Sequence, residues 1–301
     1  MLFTIFAILL FVAKDFCCKL YGIKFDSKKS GLFLSNTLAM FFGSIVLLLV
    51  AIFMNKPILP KDLTEYILAA VFGASYIMIN YILVLAMSYG PMGLTGVICG
   101  VGAILGGSIY GLICGDDVST MIIIGAILMT AAVILITPLK NKENIERSNQ
   151  VKWFSLSFLS FILNALICII KTEGVRNRGA DSITFSLWSF IFATITGLIA
   201  VAVLLLRGEK FNAYLVGTKK CMTLFAISAA MGISCTLANT MQLLSIGIGT
   251  PSIVVYPITT SSTNLIEAFI SVAILKDQKM SFKIYLAYAV CVIGIILVNI
   301  G

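Results

Sequence analysis

The sequence predicts an all-α membrane protein, with ten transmembrane helices arranged as two inverted five-helix repeats. Three observations carry that prediction. Sixty per cent of the 301 residues are hydrophobic and 11% are charged, with a mean hydropathy of +1.07; a soluble globular chain is about 25% charged. The apolar residues fall into ten runs, each near the ~20 residues that cross a hydrocarbon core as a helix. A short polar pattern recurs 159 residues further on, in the same order relative to its neighbours.

The first run, 2–20, has no leading positive charge and no A-x-A site, so it reads as a span and not as a cleaved signal peptide. Lys14 and Asp15 interrupt it, which leaves its boundary the least defined. The second and third runs cover 31–54 and 64–88. The fourth, 91–114, begins at Pro91; proline suits a first helical turn, where its missing N–H does no harm. Its glycine pairs 96/100, 102/106 and 107/111 have the G-x-x-x-G spacing that lets helices pack closely or slide. The fifth run, 119–137, leads into the one clear linker, 139–150, with Lys140, Lys142, Glu143, Glu146 and Arg147. Runs six to ten cover 151–170, 182–206, 221–245, 251–275 and 282–300. Helices satisfy their own backbone hydrogen bonds, as lipid requires, and ten of them leave no room for a soluble domain.

The repeat is read from several matches. Gly73, Ser75 and Asn80 in the third run reappear as Gly232, Ser234 and Asn239 in the eighth, at an offset of 159. Pro91 matches Pro251 at an offset of 160. Gly115-Asp116-Asp117 after the fourth run resembles Lys276-Asp277 after the ninth, and Lys19 with Gly22 matches Lys171 with Gly174 at an offset of 152. The halves are therefore 1–138 and 151–301. Five crossings is an odd number, so the second half enters from the opposite side. Inverted repeats of this kind enclose a central site that can face either side in turn.

Other counts exclude functions. The chain has no histidine, which removes the commonest general base and metal ligand. None of its eight cysteines forms a C-x-x-C; they read as small apolar residues. There is no P-loop, no dinucleotide fingerprint and no implied cofactor. The net charge of +8 comes from 21 basic residues scattered between apolar runs, a pattern that orients spans and does not bind nucleic acid. Connections after odd-numbered helices hold fourteen of them and the opposite side five, counting Lys171. That bias puts both termini outside the cytoplasm.

The five-plus-five repeat, the tract Tyr89-Gly90-Pro91 to Gly115-Asp116-Asp117, its counterpart Gly249-Thr250-Pro251 to Lys276-Asp277, and Lys19 near the end of the first helix together resemble the drug/metabolite transporter superfamily in its ten-helix EamA-like form. The resemblance covers nearly the whole chain. It implies a carrier whose cavity is lined chiefly by helices one, three, four, six, eight and nine, and it implies cytoplasmic termini, against the loop charges. Members commonly have Trp-Gly in the first helix, where this chain has Phe11-Val12-Ala13-Lys14, and a Glu where this chain has Asp116 or Asp117.

Polar residues inside spans are functional candidates, because lipid disfavours them. Lys14, Asp15 and Lys19 share the first helix, and Asp15 and Lys19 are spaced to pair. Lys171 ends the sixth, where its stem could also snorkel to the interface. Glu267 lies mid-span on a polar stripe with Tyr256, Thr260, Thr263, Asn264 and Ser271, as a proton acceptor, a partner for a cation, or a structural bond. Asn80 and Asn239 are repeat-related amides, with Gln242 on the face of Asn239 and Tyr76 one turn before Asn80; they suit a binding site or helix–helix adhesion. Trp188 is a cavity aromatic or an interface anchor. The expected function is a secondary transporter of a small polar or amphipathic metabolite, coupled to protons through Glu267 or run by exchange. The alternatives are a membrane-embedded enzyme on a lipid-linked substrate, and a channel. The expected setting is the cytoplasmic membrane, as a monomer or homodimer among lipids.

Overall fold

The computed structural model describes residues 2–25, 29–89, 92–116, 119–136, 147–209, 218–273 and 282–300, with the side chains of some helical residues, Lys19 and Glu267 among them, outside that description. Ten α-helices lie among the described residues: α1 (Leu2–Lys24), α2 (Lys29–Phe53), α3 (Leu63–Tyr89), α4 (Met92–Ile113), α5 (Thr120–Ile136), α6 (Arg147–Thr172), α7 (Ser182–Leu206), α8 (Thr218–Gly247), α9 (Ser252–Ala273) and α10 (Phe282–Ile300). One helix occupies each predicted run. Among the described residues, five segments, Gly31–Phe53, Leu63–Leu83, Val151–Asn177, Ser182–Leu206 and Lys219–Gly247, are long and apolar enough to cross a membrane. Lys14 and Asp15 do not break α1, because the two side chains pair with each other at 2.7 Å.

Local chemistry sets the ends. Asp62 accepts the Glu65 N–H at 2.8 Å while Glu65 accepts the Lys61 N–H at 2.9 Å, a reciprocal cap at the start of α3. Asp181 caps α7 by accepting the N–H groups of Ile183 and Thr184 at 3.0 and 3.1 Å. The first turn of α9 is capped from another part of the chain: the Ser252 N–H donates to Asp116 at 2.8 Å. Gly115 (φ +83°) and Gly249 (φ +93°) turn the chain after α4 and α8 in the left-handed region that glycine tolerates. After α6 the helix widens into one π turn, Glu173–Asn177.

The halves interleave. Helix α1 packs on α8 and α9, α2 on α7 and α8, α3 on α6 and α7, α4 on α6 and α9, and α5 on α10 and α9. The extensive contacts therefore run between the predicted halves, and one hydrophobic core draws on both. Small residues set the spacing. On α4, Gly102 and Gly106 lie against Phe161 and Ala165 of α6, while Gly100, Gly107 and Gly111 face Thr260, Tyr256 and Ser252 of α9. As α4 advances its α9 partners retreat, so these two helices run antiparallel. Ser35 meets Ser228 at 2.9 Å, Ala39 meets Gly232 and Gly43 meets Thr236, so α2 and α8 run parallel.

The repeated glycines do the same work. A Cβ on Gly232 would enter the Ala39 carbonyl of α2, and a Cβ on Gly73 would enter the Ser189 carbonyl of α7. Each is the residue that lets one helix of its half meet a helix of the other at backbone distance.

Candidate functional site

The centre of the molecule is a polar node between α3, α6 and α8. The Tyr76 hydroxyl and the Cys235 thiol share a hydrogen bond at 2.8 Å. These residues are 159 positions apart, the same offset as the Gly73, Ser75 and Asn80 matches in the sequence. Asn239, one turn beyond Cys235, donates through Nδ2 to the Tyr76 hydroxyl at 3.3 Å and to the Cys235 carbonyl at 2.8 Å. Its Oδ1 accepts from Lys171 Nζ at 2.6 Å, and Gln242 Oε1 accepts from the same nitrogen at 2.7 Å. Gln242 in turn donates to the Thr259 hydroxyl at 3.2 Å, which ties in α9. The Lys171 ammonium also stands 5.6 Å from the centre of the Phe72 ring.

Lys171 does not snorkel. It is 3% exposed, so it does not belong with the surface charges that orient a chain, where the sequence count put it. The reason is geometric: α6 packs against α3 and α8, and the π turn after Thr172 keeps the following chain packed on α8 and α7. Lys14 approaches the same node, close enough for its charge to act on Tyr76 and Cys235.

Of the sequence-predicted residues, Tyr76, Asn239 and Gln242 come together, with Lys14 and Asp15 beside them. Asn80 is half-buried on α3. Tyr256 is fully buried at a neighbouring node, where its hydroxyl donates to the Cys168 carbonyl at 3.0 Å and lies 3.3 Å from the Thr172 hydroxyl. Thr260 and Asn264 sit over Gly100. Trp188 stands apart; its indole N–H donates to the Ile58 carbonyl at 2.8 Å and its ring meets Tyr66 edge-on at 4.8 Å. The side chains of Lys19 and Glu267, and with them the Asp15–Lys19 pairing, lie outside the described residues, as does Asp117. Lys171, for which the sequence left a functional role and snorkelling both open, joins the site, as do Cys235 and Thr259, which the sequence did not single out. The repeat held a signal for Cys235, since Tyr76 plus 159 is Cys235.

At the face where even-numbered helices end, the connections are clamped across the halves. Lys56 pairs with Asp181 at 3.1 Å, Lys61 donates to the Gly179 carbonyl at 2.9 Å, and Thr184 donates to the Pro57 carbonyl. Arg176 pairs with Asp116. Glu173 accepts from Tyr110 at 2.9 Å, Asn177 at 2.7 Å and Arg178 at 2.9 Å. Burial alone would raise the Asp181 carboxyl, but the Thr184 N–H, Lys56 and the Ile183 N–H together hold it below its ordinary value.

No family model matches the chain, and no curated protein matches it in sequence. Solved structures do match its fold. One, a crystal structure, superposes with a TM-score of 0.73 at 13% identity, over 99% of this chain and 96% of that one. At that identity the likeness is one of fold.

Proposed function

We propose that this chain is a secondary carrier for a small polar or amphipathic solute, a member of the drug/metabolite transporter superfamily. Its ten helices would all cross the membrane, as two inverted five-helix repeats working by alternating access. The observation that carries the proposal is the Tyr76–Cys235 contact beside a buried lysine. Repeat-equivalent positions can touch only where a two-fold axis passes between them, and an inverted-repeat carrier keeps its solute site on that axis.

The helix pairing supports the same axis. Exchanging α1–α5 for α6–α10 turns α1·α8 into α6·α3, α2·α8 into α7·α3 and α4·α6 into α9·α1, all of them packed pairs. The pairs α2·α7, α4·α9 and α5·α10 map onto themselves. The antiparallel crossing of α4 and α9, which are equivalent helices, fits halves of opposite orientation. Coupling would run through Glu267 as a proton acceptor or by solute exchange. The lipid-linked enzyme reading gains nothing from Asp116, whose carboxylate is occupied by Arg176 and the Ser252 N–H.

The test is counterflow in liposomes. Purified protein should accumulate a labelled solute from a broad metabolite panel against an internal unlabelled pool, and Lys171→Met should abolish it. A monodisperse protein that moves no solute of any charge, under a proton gradient or in exchange, would overturn the carrier reading.

A further inference from the structure

We propose that the solute is a monoanion bearing a carboxylate, and that Lys171 is the residue that takes it. The inference rests on the carrier reading and adds the substrate's chemistry. Its basis is the distribution of charge around the central node. Four described acids are already matched. Asp15 pairs with Lys14, Asp116 with Arg176, Glu173 with Arg178 and Asp181 with Lys56. Asp62 and Glu65 are engaged in capping α3. Among the described residues Lys171 is a buried cation with no ion-pair partner; its contacts are two neutral amide oxygens and a ring face. Glu267 is eight residues beyond Thr259, the α9 residue that reaches this node through Gln242. At the helical rise that is about 12 Å further along the axis.

A cation withdrawn from water and left without a counter-charge is unfavourable, and persists where its charge has a use. Amide oxygens are good temporary partners. They satisfy two of the ammonium's three donors without neutralising it. An arriving carboxylate would displace one or both of them, keep the hydrogen bonds and supply the missing negative charge. The released amides of Asn239 and Gln242 still carry N–H groups, already aimed at Tyr76, Cys235 and Thr259, and can turn one toward the second carboxylate oxygen. The charge count argues for a monoanion. Lys14 is neutralised by Asp15, so the node carries one uncompensated positive charge, and a dianionic phosphate would leave an excess negative charge in its place.

The test uses the purified full chain in detergent and matched pairs of probes that differ only in charge: benzoate and benzamide, hexanoate and hexanamide, N-acetylglycine and its amide. Thermal stabilisation is read for each. At least one acid should stabilise the wild type while its amide does not. Lys171→Gln should weaken that acid roughly 10- to 100-fold, the loss of one charge-assisted contact, and Lys171→Arg should recover part of it, which separates lost binding from lost folding. Acids and amides stabilising equally, an acid binding Lys171→Gln as well as wild type, or no acid in the panel binding at all would each overturn the assignment. Counterflow separates this failure from failure of the carrier reading. A neutral or cationic solute that is carried while acids are ignored leaves a carrier and removes the anion site; no transport of any solute removes both.

Discussion

At the scale of single residues, the buried ammonium of Lys171 organises the interior, and Asn239 is the neighbour that tests it most directly. Asn239→Ala removes one of its two oxygen acceptors and strands part of a buried charge, which should destabilise the protein by about 1–3 kcal/mol. Asn239→Asp is the sharper change. It places a carboxylate where the solute's carboxylate is proposed to arrive, pairing Lys171 permanently. The expected result is a higher melting temperature together with lost transport and lost acid-dependent stabilisation. An aspartate variant that melts lower than wild type, or that still carries the solute, contradicts the role given to this node. Little of this was legible in the sequence. Whether a lysine at a span's end snorkels depends on what surrounds its tip, and the tip of Lys171 meets residues 68 and 71 positions away. The amides Asn239 and Gln242 were legible because they break an apolar helix. Trp188 was ambiguous because its indole partner, the Ile58 carbonyl, sits in a connection with no pattern of its own.

Elements follow simpler rules, and here the sequence carried more. Runs of apolar residues near the length of a span marked where each described α-helix lies, because lipid-type hydrophobicity and helix length are local properties. The split of the α4 glycines between two partners was only half visible: G-x-x-x-G spacing predicts close contact but not with which helix. The pairing of Gly73 with α7 and of Gly232 with α2 puts both glycines against a backbone carbonyl, and it predicts matched effects. Gly73→Ala and Gly232→Ala each force a methyl into a backbone carbonyl, at a cost of about 1–3 kcal/mol from overpacking. Thermal denaturation of both variants should show losses of similar size; a neutral substitution at either site would mean the helices are free to separate there. The α7 cap adds a pH signature. Asp181 has a carboxyl held below its ordinary value of 3.8, so its contribution is complete above that pH and is lost as the pH falls through the lower folded value. Melting temperature measured against pH should drop on the acid side in wild type, and Asp181→Asn should lack that component.

For the whole molecule, the interleaving of the halves decides what motion is available. Neither half is a bundle with its own core, since the main packing partners of each helix come from the other half. In the proposed carrier, rocking would therefore slide helices along contacts such as α2·α8 and α3·α7, where glycines keep the surfaces smooth. It would also open one face at a time. The face at the ends of α2, α4, α6 and α8 is shut, with Lys56–Asp181, Lys61–Gly179 and Arg176–Asp116 bridging the halves. The exposed Lys56–Asp181 pair contributes no more than about 1 kcal/mol, so in the proposed carrier it would release readily, whereas Arg176 holds the fully buried Asp116 carboxylate more firmly. A covalent version should not release. Cysteines introduced by Lys56→Cys and Asp181→Cys, in a background whose native cysteines other than the buried Cys235 are replaced by alanine, can be bridged by a short bis-thiosulfonate reagent through two reducible disulfides. Counterflow should then stop, and return on reduction, while acid-dependent thermal stabilisation persists because the central node is untouched. Transport that continues with the bridge in place would mean that solute passes without this face opening, and alternating access through the axis at Tyr76 and Cys235 would have to be abandoned.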